Sequence, residues 1–81
     1  NIALVNERGV PALVEAMLCG RTAVVTDVAG NAEPLRDNVT GFVAAAPTVP
    51  ALDEAMERAW ARREEWRAIG ALAARDIRRM M

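Results

Sequence analysis

A strand–helix–strand pattern within the first 27 residues constrains the fold of this chain most strongly. Residues 2–5 read Ile-Ala-Leu-Val, an apolar run without polar alternation, which is typical of a buried parallel strand. Residues 12–19 are apolar except for Glu15, and Gly20 supplies a left-handed helix stop. Residues 22–27 form a second run rich in β-branched side chains. This order predicts a βαβ unit with parallel strands and a right-handed crossover.

The following segment predicts one more strand. Asn31 is suited to cap a short helical turn over residues 32–36, and Asn38 is suited to a left-handed turn position. Residues 41–45 then favour a third strand, after which Pro47 and Pro50 prevent regular strand pairing.

Residues 51–80 favour helix throughout, because apolar side chains recur at helical spacing. A polar corner at residues 62–65 predicts two helices, and one continuous helix is the alternative. We therefore predict an α/β chain with a partial Rossmann-like fold: about three short parallel strands with helices, of which two are C-terminal. We predict that the chain is a single partial domain, with a βαβ-type part at residues 1–46 and a helical tail at residues 47–81. Three short strands are too few for a complete doubly wound sheet, so we expect half of such a domain.

Composition excludes several classes of protein. The chain of 81 residues contains one cysteine and no histidine, so an internal disulfide is impossible and no clustered metal site is expected. The formal net charge of −1 and the alternation of arginine with acidic residues in the tail argue against a nucleic-acid partner. No apolar run reaches the length of a membrane span. We expect a cytoplasmic protein, with attachment to the inner face of the membrane left open.

Three side chains that could bind or react with a ligand are expected instead to have structural roles. Cys19, on an apolar helix face, is expected to be a small buried hydrophobic residue. Trp60 and Trp66 are expected to anchor the packing of the helical tail and not to stack on a sugar.

The strongest functional signal is a pair of glutamates that flank a turn at the start of the first helix. Glu7 and Glu15 lie on either side of a Gly-Val-Pro sequence at residues 9–11, and Pro11 is well suited to the first turn of a helix. A helix that starts there presents unpaired backbone N–H groups and partial positive charge, which attract phosphate. Ionised carboxylates beside it can accept hydrogen bonds from sugar hydroxyls.

These residues resemble the C-terminal part of retaining glycosyltransferases with the GT-B fold, the group of glycogen synthase and bacterial polysaccharide glycosyltransferases. The resemblance rests on the E-x7-E spacing of Glu7 and Glu15 and on three runs, LVEAM-x-x-G, VVTD-x-x-G-x-x-E and D-x-x-T-G-F, over residues 7–43. The helical tail also fits the two closing helices of that family. The chain departs from the pattern at Arg8, where the family usually has a small residue.

The resemblance implies that the βαβ-type part at residues 1–46 is a nucleotide-sugar-binding part, with a donor site that needs no metal. It implies that Glu7 is the catalytic residue, placed beside the transferred sugar to support its hydroxyls and the developing positive charge. It implies that Glu15 binds the ribose hydroxyls of the nucleotide. The turn and first helical residues would approach the sugar and diphosphate through their backbone amides: Gly9, Val10, Pro11, Ala12 and Leu13. The implied partners are a nucleotide-sugar donor and an acceptor saccharide or lipid.

Two hypotheses follow. In the first, the chain is the donor-site part of a glycosyltransferase and is inactive as an isolated chain. In the second, it is a non-enzymatic truncated module that forms a homodimer through its exposed sheet edge and helices.

Overall fold

The computed structural model describes residues 2–5, 10–26 and 32–81. The chain folds into strand β1 (Ile2–Val5), helix α1 (Val10–Leu18), strands β2 (Thr22–Thr26) and β3 (Phe42–Ala44), and helices α2 (Val49–Ala61) and α3 (Trp66–Met80). A short 3₁₀ turn (Arg63–Glu65) joins α2 to α3. The three strands form one sheet in the order β1-β2-β3.

The sheet is entirely parallel. Ile2 pairs with Thr22 and Val5 with Val25, and Val24 pairs with Phe42 on the other side of β2. All five residues of the central strand are buried, as a parallel strand covered on both faces requires. The predicted fold class, partial Rossmann-like with three parallel strands and two C-terminal helices, is confirmed.

Helices cover both faces of the sheet and divide the core into two clusters. The face that we call the α1 face carries the cluster Val5, Leu13, Met17, Ala23, Val25, Leu35, Ala73 and Ile77. The α2 face carries the cluster Val24, Phe42, Ala44, Ala55, Ala59 and Ile69, with Ile2 and Trp66 packed against it. Since residues of α3 belong to both clusters, α3 begins on the α2 side and continues onto the α1 face.

The helix ends follow from local sequence. Gly20 ends α1 in the left-handed conformation with φ of 71°, which confirms the predicted stop. The hydroxyl of Thr48 accepts a hydrogen bond from the Ala51 amide at the start of α2. Asn38 adopts φ of 67°, as predicted for its turn. The polar corner at 62–65 separates two helices, so the alternative of one continuous helix is wrong.

One predicted element differs. Residues 32–34 form a hydrogen-bonded turn, closed by the Leu35 amide donating to the Ala32 carbonyl, and not a helical turn over 32–36. Pro34 has no N–H to extend a helix there, and Thr40 instead accepts a hydrogen bond from the amide of Arg36. The proposed cap Asn31, and Asp27 at the end of the second predicted strand, lie outside the described residues.

The structural roles predicted for Cys19 and Trp60 are wrong. Cys19 is exposed, because it follows the last helical residue of α1 at the turn instead of lying on the buried face. Trp60 is 60% exposed and anchors little of the core. Trp66 does act as an anchor: it is half-buried, and its indole N–H donates to the Ala59 carbonyl at 2.7 Å.

Candidate nucleotide-sugar site

The candidate site lies where the parallel strands end. β1 ends at Val5 and α1 begins at Val10, so α1 starts beside the carboxyl edge of the sheet and runs back towards β2. In open α/β sheets, ligands bind in the crevice outside this edge.

The first turn of α1 is chemically suited to an anion. It contains no acidic side chain to neutralise the partial positive charge of the helix. Pro11 has no N–H, while Ala12 and Leu13 lie in the first turn, where N–H groups have no partner within the helix. The backbone there is therefore a donor surface for phosphate oxygens.

An open groove of about 550 Å³ runs beside α1 and exposes Glu15. We call it the α1 groove, and its lining is Ala3, Leu4, Val5, Ala12, Glu15, Ala16, Cys19 and Arg21. The groove lies between α1 and the edge strand β1. Two of the residues implied in binding, Ala12 and Glu15, therefore line the same cavity. Glu15 is exposed and can accept hydrogen bonds from a ligand.

The other residues implied in binding differ in how exposed they are. Pro11 is exposed at the start of α1. The Leu13 side chain is completely buried in the core, so only its backbone can face a ligand. The side chain of Val10, together with Glu7 and Gly9, lies outside the described residues.

Sequence reasoning missed one polar group at this edge. Thr26 is the last residue of β2 and is 4% exposed, and its hydroxyl has no hydrogen-bond partner among the described residues. A buried hydroxyl without a partner is costly, so it is a candidate contact for a bound ligand. The sequence feature that could have identified Thr26 is its place at the carboxyl end of the central strand.

The perturbed ionisable groups lie on α2 and the following turn. A hydrogen bond to Glu54, opposed by partial burial and assisted by Asp37, raises the pKa of Arg58. A hydrogen bond from Arg62 lowers the pKa of Glu65, and the same bond raises the pKa of Arg62. These groups hold α2 and the Asn38 turn together, and they are not in the α1 groove.

A second groove opens on the α2 face, also beside β1. This α2 groove has a volume of about 590 Å³ and is lined by Ile2, Asp53, Met56, Glu57, Ala59, Trp60, Ala61 and Trp66. Leu4 points to the same face as Ile2 and is 56% exposed. The α2 face of the sheet is therefore incompletely covered at its β1 edge.

The part of the chain that the structure describes contains neither a cluster of metal ligands nor a membrane-spanning helix. No three of its cysteine, aspartate and glutamate residues are grouped to hold a metal ion. None of its helices combines the length and apolar character that crossing a membrane requires.

Comparison with known proteins assigns the family. The family described as Glycosyl transferases group 1 matches residues 7–76, which is most of the chain. Comparison with curated proteins and with solved structures gives no match. The matched segment contains the residues of α1 and the following turn that line the α1 groove, but not those of β1, and it extends through most of α3. The chain thus belongs to the group 1 glycosyl transferases.

Proposed function

We propose that this chain carries the nucleotide-binding part of the donor site in a retaining GT-B glycosyltransferase of the glycogen-synthase-like group. The observation that carries the proposal is the position of the acid-free first turn of α1 at the carboxyl edge of the sheet, with Glu15 exposed in the adjoining groove. Group 1 glycosyl transferases use sugar donors and acceptors, and this edge offers groups that suit both halves of a nucleotide-sugar.

In this proposal the donor lies along α1. The amides of the first turn, including Ala12 and Leu13, donate to the diphosphate and stabilise the charge that grows on the leaving group. The Glu15 carboxylate accepts hydrogen bonds from the ribose hydroxyls. Glu7 supports the transferred sugar, a role that rests on the family resemblance because Glu7 lies outside the described residues.

The incomplete cover of the α2 face beside β1 supports completion of the site by further polypeptide. A parallel sheet needs cover on both faces, yet β1 carries α1 on one face and the open α2 groove on the other. A right-handed connection to a further strand that placed its helix over that groove would cross the sheet in the opposite direction from the β1-α1-β2 connection, because the two helices lie on opposite faces. The reversal would create a switch point beside β1, where nucleotide sites form. We therefore propose that the isolated chain does not complete a catalytic turnover.

The donor proposal is tested by titrating ¹⁵N-labelled chain with UDP-, GDP- and ADP-sugars. We expect one of them to shift the amide signals of Ala12 and Leu13. Glu15→Gln should weaken binding roughly 10- to 100-fold, since a hydrogen bond to a charged group is lost. Glu57→Gln changes a glutamate on α2 that is also exposed and should bind normally. Shifts that avoid α1, or equal losses in both variants, would contradict the proposal.

A second candidate function is self-association without catalysis, and one observation favours it. β1 is an edge strand: its Ile2 lines the apolar α2 groove, and its exposed Leu4 lies two residues further along the same face. Unpaired strand edges of this kind recruit other strands. A homodimer through β1 would bury both features.

Sedimentation equilibrium distinguishes the candidates. If the chain dimerises through β1, Leu4→Lys should return it to a monomer. Val39→Lys, which charges an exposed aliphatic residue before β3, should leave the dimer intact. A wild-type chain that stays monomeric removes the second candidate and leaves the donor proposal untouched.

A further inference from the structure

Two buried threonines of the central strand differ in their hydrogen bonding. Thr22 and Thr26 are both on β2 and both buried, and they are four residues apart, so their side chains share one face of the sheet. The Thr22 hydroxyl donates to the Trp66 carbonyl at 2.6 Å. The Thr26 hydroxyl has no partner within the part of the chain that the structure describes. Since a buried hydroxyl without a hydrogen bond is unfavourable, the unpaired group at Thr26 indicates a partner outside the folded chain.

The strand register fixes the face of the sheet on which this hydroxyl lies. Thr26 pairs with Ala44, and both Ala44 and Val24 belong to the cluster on the α2 face. Val25, one residue earlier, belongs to the cluster on the α1 face. Because side chains alternate along a strand, Thr26 points to the α2 face at the carboxyl end of β2.

The two helices that begin at this edge of the sheet lie on opposite faces. α1 follows β1 on one face, α2 follows β3 on the other, and β2 lies between those two strands. Thr26 is the last residue of β2, so it lies between the starts of α1 and α2 along the edge. A ligand that is bound at the start of α1 and extends across the edge towards α2 therefore passes the end of β2.

The starts of the two helices differ in what they offer a ligand. The first turn of α1 has amides available to an anion, as described above. In α2 the amides are already used, because the Thr48 hydroxyl accepts from the Ala51 amide and the Thr48 carbonyl accepts from the Leu52 amide. Pro50 has no N–H. The α2 side of the edge therefore offers little to a phosphate, and an uncharged hydroxylated group suits it better.

We propose that the Thr26 hydroxyl binds a hydroxyl group of the transferred sugar. This inference rests on the proposed donor site, in which the amides of α1 hold the diphosphate, and it adds that the sugar extends across the edge towards α2. Threonine and sugar hydroxyls can each donate one hydrogen bond and accept two, so the pair is satisfied in either direction. Thr26 is 4% exposed, and a hydrogen bond in such dry surroundings is stronger than one in water.

Urea unfolding in the absence of ligand tests whether the Thr26 hydroxyl is unpaired. Thr26→Val keeps the shape of the side chain and removes only the hydroxyl, so this variant should be at least as stable as the wild type. Thr22→Val is the matched control, since it loses the hydrogen bond to Trp66 and should unfold at a lower concentration of urea. An equal loss of stability in both variants would show that the Thr26 hydroxyl already has a partner, which overturns the proposal.

Binding measurements test the contact with the sugar. The probes are UDP-glucose, GDP-mannose and ADP-glucose, each compared with the nucleoside diphosphate that it contains, and the readout is the amide signals of Ala12 and Leu13. Thr26→Val should weaken the affinity for the nucleotide-sugar that binds about 3- to 10-fold, because one uncharged hydrogen bond is lost. It should bind the matching nucleoside diphosphate as the wild type does. Thr26→Ser keeps a hydroxyl and should bind the nucleotide-sugar normally, as should the control Thr22→Val.

The outcomes separate this inference from the donor site on which it rests. If no probe shifts the amide signals of α1 in the wild type, the donor proposal fails and this inference fails with it. If the wild type binds and Thr26→Val binds the nucleotide-sugar equally well, only this inference fails. An equal loss of affinity for the nucleoside diphosphate would overturn the sugar contact, since the hydroxyl would then meet the nucleotide.

Discussion

Gly70 of α3 lies directly against the backbone of Gly20, the residue that ends α1. A Cβ atom on Gly70 would overlap the carbonyl oxygen of Gly20 and would lie 2.7 Å from its carbonyl carbon. This contact positions α3 against the α1–β2 turn. It fixes α3 to α1, the helix whose first turn lies at the candidate site.

Gly70→Ala should destabilise the chain by about 1–3 kcal/mol. Alanine normally improves a helix interior by up to about 1 kcal/mol, but overpacking against rigid backbone costs more. Urea unfolding followed by circular dichroism measures the change. Ala71→Gly, at an exposed neighbouring position, should cost about 1 kcal/mol through helix propensity alone. A more stable Gly70→Ala variant would show that the approach of α3 to Gly20 is wrong.

Arg58 holds the Asn38 turn and strand β3 against α2. Its guanidinium donates to the side chains of Asp37, Asn38 and Glu54 and to the Val43 carbonyl, at distances from 2.6 to 2.9 Å. A planar group with five donors can satisfy all four acceptors, which a lysine ammonium cannot.

We therefore expect Arg58→Lys to lower the free energy of unfolding by about 1–2 kcal/mol, since the side chain is partly exposed and the loss is moderated by water. Chemical denaturation gives the value. Arg63→Lys is the matched control, because the Arg63 guanidinium stacks over the exposed Trp60 ring instead of joining elements of the sheet. Equal stability of the two variants would refute the bridging role of Arg58.

The fold was predictable from sequence where local chemistry decides it. The β-branched run of β2 and the left-handed stop at Gly20 are readable without tertiary information, and both are confirmed. The long-range contacts are not readable in this way. Neither the approach of Gly70 to Gly20 nor the pairing of Asp76 with Arg36 follows from spacing, because each joins segments that are about 40 to 50 residues apart.

The pKa of Glu65 supplies a prediction about pH. The hydrogen bond from Arg62 lowers that pKa, so the pair stabilises the folded state above the unfolded pKa and ceases to do so as pH falls through the folded pKa. Arg62→Gln should return the pKa of Glu65 towards its ordinary value. An NMR titration of the Glu65 carboxyl carbon measures this shift directly.

The control for that titration is Arg63→Gln, which removes a neighbouring charge that makes no ion pair with Glu65 among the described residues. If it moves the pKa of Glu65 as far as Arg62→Gln does, general charge and not the hydrogen bond is responsible. Because both partners are exposed, the effect on overall stability should be small.

The candidate site was only partly predictable. The acid-free start of α1 and the exposure of Glu15 follow from the position of Pro11 and from helical periodicity. The grooves on the two sides of β1 do not, since they depend on which parts of the sheet the later helices cover. Burial of the Leu13 side chain was likewise decided by packing against the sheet, and it restricts any binding role of that residue to its backbone.

Cys19 offers a direct probe of the α1 groove. It is exposed and lines that groove with Glu15, so we expect its thiol to react with a disulfide reagent in the folded protein, without a denaturant. Cys19→Ser should abolish the reaction. If a nucleotide-sugar occupies the groove as proposed, a saturating donor should slow modification of Cys19, and Glu15→Gln should weaken that protection. A thiol that reacts only after unfolding would contradict the exposed position of Cys19. Free reactivity in the presence of a bound donor would place that donor away from Glu15.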